Sequence, residues 1–105
     1  MIWMLLAASA PTYLGCSLDE NGHLMKVDVA VYESDRQAVL AQSTGRTVTR
    51  PAVITPSDVS IADDESVWTI DRVTLAFTRR IVIGDREWLE RGKCEVKPVP
   101  ADRAF

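Results

Sequence analysis

The feature that most constrains this chain is an alternation of apolar and polar residues that continues, with few interruptions, from Pro11 to Pro98. The alternation is clearest in Met25–Tyr32, where every second residue from Met25 onward is Met or Val. A period of two is typical of strands that bury one face against a core. The pattern therefore predicts an all-β fold.

Turn signals divide this pattern into short segments. Asn21-Gly22 and Gly84-Asp85 are two-residue sequences that supply the positive φ angles of a tight hairpin. Such signals recur about every 8 to 12 residues, which predicts about seven or eight short strands. We expect a small antiparallel barrel or sandwich, and periodicity alone does not choose between them.

Two segments need more than alternation to interpret. Gln37–Gln42 is predicted to be a strand, although Ser34 as an N-cap would also suit a short helix there. Pro51 and Pro56 restrict the residues between them to a sheet edge or a connection, because proline cannot donate a hydrogen bond to a ladder.

The apolar face changes phase near residue 71. Trp68 and Ile70 lie on one face, whereas the next apolar residues, Val73, Leu75 and Phe77, are one position out of step with them. A slip of one residue is typical of a β-bulge. We therefore predict a bulge at residues 71–72.

The amino-terminal residues predict export. Met1–Ala10 is an apolar run that ends in Ala8-Ser9-Ala10, the small-x-small form cleaved by signal peptidase. The basic residues that usually precede such a run are missing, and a start upstream of Met1 would explain this. We expect a signal peptide over 1–10 and a single β domain over 11–105, with an apolar first strand of a cytosolic domain as the alternative.

The chain has two cysteines, Cys16 and Cys94. In an exported protein they are most simply interpreted as one disulfide bond. The bond would close a loop of about 79 residues and stabilise the fold by roughly 4 to 5 kcal/mol. Two alternatives remain open: a lipid anchor on Cys16, and two buried thiols in a cytosolic protein.

Charge argues against a nucleic-acid partner. The formal net charge is −3, whereas affinity for nucleic acid depends on many Lys and Arg contacts to phosphate. Residues 1–71 hold four basic and ten acidic side chains, and residues 72–105 hold eight basic and five acidic. We expect these two halves to pair with each other.

No set of residues predicts catalysis, a metal site or a cofactor. His23 is the only histidine and lies beside a hairpin turn, where we expect it to be solvated. Zinc requires three or four nitrogen or sulfur ligands, and the glycines are too dispersed for a phosphate-binding loop. The acidic run Asp63-Asp64-Glu65 is interpreted as a solvated turn. We predict no catalytic, metal-binding or cofactor-binding residues and no enzymatic activity.

Four residues are candidates for partner binding. Asp71 and Arg72 form a charged pair at the predicted bulge, close in sequence to Trp68, and Arg79 follows on the next strand. A bulge re-aims side chains, and tryptophan and arginine are enriched where proteins bind one another. The simpler alternative is that Asp71 and Arg72 satisfy each other or a loop backbone.

Three segments together resemble a group of small secreted proteins of α-proteobacteria. They are Ala10-Pro11-Thr12-Tyr13-Leu14-x-Cys16, Ile70-Asp71-Arg72-Val73-Thr74-Leu75-x-Phe77-Thr78-Arg79 and Gly92-x-Cys94. The resemblance implies export, a β-rich fold and a Cys16–Cys94 bridge, and it implies no activity. A looser likeness, in architecture alone, is to periplasmic inhibitors of c-type lysozyme, whose Ser-Gly loop this chain lacks.

These observations favour a periplasmic or secreted, non-enzymatic binding module of the cell envelope, inhibitor-like in kind and with an unknown partner. One alternative is a small-ligand carrier with a cavity of about 300 Å³ or more inside a barrel. The other is a structural envelope protein that forms oligomers.

Overall fold

The structure is a computed structural model that describes residues 11–20 and 22–98, without the side chain of residue 20. Across these residues the regular structure consists of eight strands and no helix. The strands are β1 (Thr12–Glu20), β2 (His23–Tyr32), β3 (Gln37–Gln42), β4 (Thr47–Ile54), β5 (Asp58–Asp63), β6 (Ser66–Asp71), β7 (Ala76–Ile83) and β8 (Arg86–Lys97). The predicted all-β fold is confirmed.

The eight strands form a closed up-and-down barrel in which each strand is antiparallel to its neighbours, and β8 returns to pair with β1. Of the two predicted architectures, the barrel is therefore the one observed. The hairpins at Gly22 and Gly84 are as expected, since both glycines have the positive φ that these turns require.

Gln37–Gln42 is confirmed as a strand, which pairs with β2 on one side and with β4 on the other. The prediction for the proline-flanked segment is confirmed in part: residues 52–54 belong to β4, a strand of a closed barrel, but their ladder partner is β5 alone, as at a sheet edge. The pairing explains how proline fits there. Residues 47–51 of β4 pair with β3, whereas only residues 52–54 pair with β5. Pro51 is therefore the last residue of β4 that pairs with β3, and the pairing with β5 begins at the next residue.

The predicted bulge at residues 71–72 is also wrong. β6 ends at Asp71 and β7 begins at Ala76, so the change of phase marks a turn between two antiparallel strands. Val73 lies in that turn and is 81% exposed, so it belongs to no buried face. The residue that starts the new buried face is Phe77, which is fully buried.

The inner faces of the strands fill the barrel with apolar side chains. An eight-stranded barrel is just wide enough for its own side chains to occupy the interior. The buried core consists of Leu14, Cys16, Leu18, Val27, Val29, Val31, Ala38, Leu40, Ala52, Val59, Ile61, Trp68, Ile70, Phe77 and Cys94. Because this core fills the interior, clusters of residues outside the core lie at the two ends of the barrel.

The joint between β1 and β8 closes the barrel covalently. Cys16 lies directly opposite Cys94 in the ladder, and the two form a disulfide bond. Two positions before Cys94, Gly92 lies so close to β1 that a Cβ atom there would be 1.7 Å from the carbonyl oxygen of Ser17. Only glycine permits this approach of the two backbones.

The signal peptide predicted over 1–10 lies outside the described residues. Within residues 11–20 and 22–98, no helix has the length and apolarity needed to cross a membrane.

Candidate binding site at the barrel mouth

One end of the barrel opens into a shallow apolar cavity of about 200 Å³, which we call the mouth. Three turns surround it, at residues 33–36, 55–57 and 72–75, where β2, β4 and β6 end. The residues that line it are Thr12, Leu14, Val31, Glu33, Val59, Ile70, Arg72, Leu75 and Val96. Most of the floor is therefore buried aliphatic side chain, and the charged groups lie at the rim.

Arg72 connects the three turns across the rim. Its guanidinium Nη1 lies 3.1 Å from Oε2 of Glu33 and donates a hydrogen bond of 2.8 Å to the carbonyl oxygen of Thr55. Its backbone N–H donates to the carbonyl oxygen of Ser57 at 2.8 Å. Arg72 thus lies in one turn and is held by the two others, and its bonds to loop carbonyl oxygens are those that the simpler alternative expected.

Asp71 shapes the turn that carries Arg72. Its carboxylate Oδ1 accepts hydrogen bonds from the backbone N–H groups of Val73 at 2.8 Å and Thr74 at 2.9 Å. These N–H donors, that of Thr74 foremost, lower the pKa of Asp71 below its ordinary value, because they stabilise the charged form. The turn is thus held in one shape while Val73 projects from its tip.

Leu75 ends the same turn in a conformation that leucine seldom adopts. Its φ is +66°, in the left-handed region that favours glycine. The half-buried side chain lines the mouth and packs against the core, and the carbonyl oxygen accepts a 2.8 Å hydrogen bond from the backbone N–H of Cys94. The turn at the mouth is therefore tied directly to the disulfide strand. Strained backbone of this kind concentrates at functional sites.

The other two candidate residues lie deeper in the barrel. Trp68 is 1% exposed and stacks on Phe77, and the Arg79 guanidinium lies over its ring at 5.0 Å from the centroid. Arg79 also pairs with Glu90, with nitrogen to oxygen distances of 2.8 and 2.7 Å. Trp68 and Arg79 thus lie together inside the wall, while Asp71 and Arg72 lie together at the mouth. The four do not form one surface.

The acidic turn at the opposite end of the barrel differs from its sequence-based interpretation as a solvated tip. Asp64 is exposed, but Asp63 is only 4% exposed. Asp63 accepts hydrogen bonds from Arg46 at 2.8 and 3.1 Å and from Arg50 at 2.9 Å. We call Arg46, Arg50, Asp63 and Asp64 the ionic clasp.

The clasp closes a gap in the barrel wall. It lies just where β4 and β5 stop pairing, beyond Ala52 and Ile61. The hydrogen bond from Arg46, together with that from Arg50, holds the pKa of Asp63 below its ordinary value, against the opposing effect of burial. Every polar group of this carboxylate therefore has a structural partner, and nothing about it indicates acid–base chemistry.

The described residues also offer little to a metal or a nucleophile. Among them no three His, Cys, Asp or Glu side chains converge as a metal site would require. His23 is exposed at its hairpin, as expected. The one buried side-chain polar atom without a partner, within the described part of the chain, is Nε1 of Trp68.

Of the residues that line the mouth, only Arg72 was among the sequence-based candidates, and three of the others show why. Thr12, Glu33 and Val96 come from β1, the turn after β2, and β8, and they meet only because the barrel closes. No local pattern marks them. Knowledge of the strand order would have been needed to find them.

No family model matches the chain, and neither does any curated protein or solved structure.

Proposed function

We propose that this protein is an exported, non-enzymatic binding module of the cell envelope that holds its partner at the mouth of the barrel. The observation that carries the proposal is Val73, an apolar residue 81% exposed at the tip of a turn that Asp71 holds in place. The cavity of about 200 Å³ adjoins that turn. A rigid apolar projection beside an apolar hollow suits a protein partner, because the centre of an interface needs both shape and burial.

The disulfide supports export. The Cys16–Cys94 bond joins the first strand to the last. Disulfides form and persist in the periplasm and outside the cell, and they are rare in the cytosol of mesophiles. A binding module that works in the envelope gains from a closure that does not depend on a large core.

Arg72 supports a partner with a polar or acidic group beside its apolar contact. Its guanidinium lies at the rim within reach of Glu33 and the carbonyl oxygen of Thr55. A partner carboxylate that displaces Glu33 would retain the charge-assisted hydrogen bond. The inhibitor-like form of the proposal is one case of this, in which the mouth engages an envelope enzyme.

The cavity favours a binding module over a small-ligand carrier. Ligand pockets usually begin at about 300 Å³ and enclose most of the ligand. The mouth has about 200 Å³, and the residues below it form a continuous core. A larger hollow of about 320 Å³ lies on the outer wall beside Tyr13, Ala30 and Val39, not inside the barrel as a carrier would require. The alternative of a structural envelope protein requires a surface through which copies of the chain associate. The geometry of the mouth does not bear on such a surface.

The proposal is tested by site-directed photocrosslinking in the native host. We expect a photoreactive amino acid at position 73 to give a discrete adduct that excess purified wild-type protein suppresses. The same probe at Val82, an exposed valine at the opposite end of the barrel, is the matched control. Unlabelled Val73→Asp protein should compete at least about tenfold less well than wild type, because a hot-spot loss of about 2 kcal/mol or more exceeds the roughly 1.4 kcal/mol that equals a factor of ten.

Two results would overturn the proposal. One is the absence of any saturable adduct at position 73 together with hydrolase activity of the purified protein. The other comes from the intact mass of protein isolated from the host envelope. An uncut chain with two free thiols would assign it to the cytoplasm, and a lipid on Cys16 would replace the soluble module with an anchored one.

A further inference from the structure

The outer face of β1, β2 and β3 carries three adjoining hollows. The largest, of about 320 Å³, has an apolar floor that includes Ala30 and Val39. The two smaller ones, of about 290 and 160 Å³, both contain Lys26. Because Asp28 and Lys97 line all three, the hollows form one continuous depression, which we call the outer groove. A ligand that lies in it can contact apolar and charged side chains together.

The chain has three lysines, and all of them lie along the outer groove. Lys26 on β2 and Lys93 on β8 stand directly opposite Ser17 of β1, one on each side, so the two side chains flank its hydroxyl. Both lysines are exposed, and neither has an ion-pair partner among the residues that the structure describes. Two ammonium groups and a hydroxyl are suitable donors for one phosphate or carboxylate group.

The third lysine, Lys97, crosses the middle of the outer groove. Its side chain passes over Gly15, where a Cβ atom would lie 3.0 Å from Cδ of the lysine. Its Nζ then reaches Oδ1 of Asp28 at 3.2 Å. The lysine and aspartate side chains are 50% and 67% exposed, and ion pairs this exposed are weak. Lys97 can therefore leave Asp28 for the anionic group of a ligand.

The outer groove has a charged end and an apolar end. Ser17 lies four positions after Tyr13, whose ladder partner is Ala30, so the two ends are about 13 Å apart. Asp28 and Glu95 occupy the row between them. The three lysines outnumber these two carboxylates, which leaves the groove with a net positive charge. An anionic group is thus favoured at Ser17, and apolar chain is favoured at Ala30.

We infer that the outer groove binds a single anionic amphiphile, a molecule with one phosphate or carboxylate headgroup and one acyl chain of medium length. The headgroup binds between Lys26 and Lys93, and the chain lies on Ala30 and Val39. On binding, Lys97 exchanges its aspartate partner for the headgroup. The apolar hollow has the volume at which sites for small ligands begin. The inference is independent of the mouth, because the groove lies on the outside of the wall.

Titration with octyl phosphate, kept below its micelle concentration, tests the inference. In the nuclear magnetic resonance spectrum of ¹⁵N-labelled protein we expect saturable shifts of amide signals in residues 13–17, 26–30 and 39–41. The dissociation constant should be below about 1 mM. Inorganic phosphate and octanol each supply only one half of the ligand, and each should bind at least about tenfold more weakly.

Four variants assign the two ends of the outer groove. Lys26→Glu and Lys93→Glu should each raise the dissociation constant of octyl phosphate by about fivefold or more, because each replaces an attraction with a repulsion. Ala30→Leu should raise it similarly, because the larger side chain fills the apolar floor. Arg36→Glu is the control: it reverses an exposed charge in the turn after β2, outside the groove, and should change the constant by less than about twofold. Circular dichroism checks that each variant is folded.

Four results would overturn the inference. Equal affinity for octyl phosphate and octanol, or unchanged affinity in both lysine variants, would leave the lysines without a role. Equal affinity for octyl phosphate and inorganic phosphate would leave the apolar floor without one. Shifts at residues 72–75 in place of the groove would assign the amphiphile to the mouth. Binding to phosphatidylglycerol vesicles but not to monomeric octyl phosphate would make the groove a membrane-facing surface.

Discussion

Two joints in the barrel wall are closed by different chemistry. At the β1–β8 joint, residues 13–18 pair with residues 92–97, and a disulfide crosses the ladder at Cys16 and Cys94. At the β4–β5 joint, residues 52–54 pair with residues 59–61, and beyond them the ionic clasp spans the gap. The first closure depends on redox potential and the second on pH and salt.

The difference shows how a short chain closes a barrel where its ladders are incomplete. The disulfide restricts the unfolded chain, so it stabilises the fold without needing a particular dielectric environment. The clasp acts in the folded state, and its contribution to the free energy of unfolding depends on how well Asp63 is shielded from water. Each joint should therefore fail under conditions that leave the other intact.

The largest effect should come from breaking the covalent joint. The double substitution Cys16→Ser with Cys94→Ser should lower the free energy of unfolding by roughly 4 kcal/mol, because the loop that it opens is long. Urea unfolding followed by circular dichroism measures this. Reductant should have the same effect on wild type and none on the double variant. A loss below about 1 kcal/mol would show that the closed ladder alone holds the joint.

A smaller effect should come from breaking the clasp. Asp63→Asn should lower the free energy of unfolding by about 2 kcal/mol at neutral pH, since it leaves Arg46 and Arg50 without their buried partner. Reductant should not change this difference. Chemical denaturation of both proteins at pH 7 is the measurement, and equal stability would mean that solvent screens the pairs completely.

The clasp should also give the protein an acid-sensitive component of stability. Because the folded pKa of Asp63 lies below its ordinary value, the unfolded chain takes up a proton first as the pH falls. The stabilisation is complete above about pH 5 and is lost as the pH falls through the folded pKa. Asp63→Asn should therefore flatten part of the decline between neutral and acidic pH. Asp71, whose pKa is also lowered, should account for a further part in an Asp71→Asn variant.

The smallest effect should come from the exposed member of the clasp. Asp64 lies 3.3 Å from Arg46 and 3.8 Å from Arg50 but is largely in solvent. Asp64→Asn should cost about 0.5 kcal/mol at low ionic strength and nothing measurable at about 1 M salt. Thermal unfolding at the two salt concentrations checks this. A cost that does not change with salt would contradict the ionic interpretation.

The strands themselves could be predicted from the sequence, because a strand that buries one face has an apolar residue at every second position. Met25–Tyr32 and Gln37–Gln42 are strands as predicted. The error at residues 71–72 arose because a bulge and a turn both shift the apolar phase by one. Closure into a barrel could not be predicted from the alternation of apolar and polar residues, because closure depends on which strands become neighbours.

The inward orientation of Asp63 could have been predicted from the alternation, but the run of three acidic residues was interpreted as a solvated turn. Asp63 has the same parity as Val59 and Ile61, and alternation carried one step further would have turned it inward. Arg50 likewise has the parity of the buried Ala52 on β4. The mouth is different: Asp71 and Arg72 were candidates by local sequence, whereas Glu33 reaches Arg72 only through the closed fold.

The disulfide also determines how the protein responds to mechanical force. Tension applied through Thr12 and Lys97 enters the two adjacent strands and passes from Cys16 to Cys94 through the sulfur atoms. The chain between the cysteines, a separation of 78 residues, then carries no load. Reduction would free that segment to extend by on the order of 260 Å. The oxidised protein is thus a short, nearly inextensible link, whereas the reduced protein can lengthen once force separates β1 from β8.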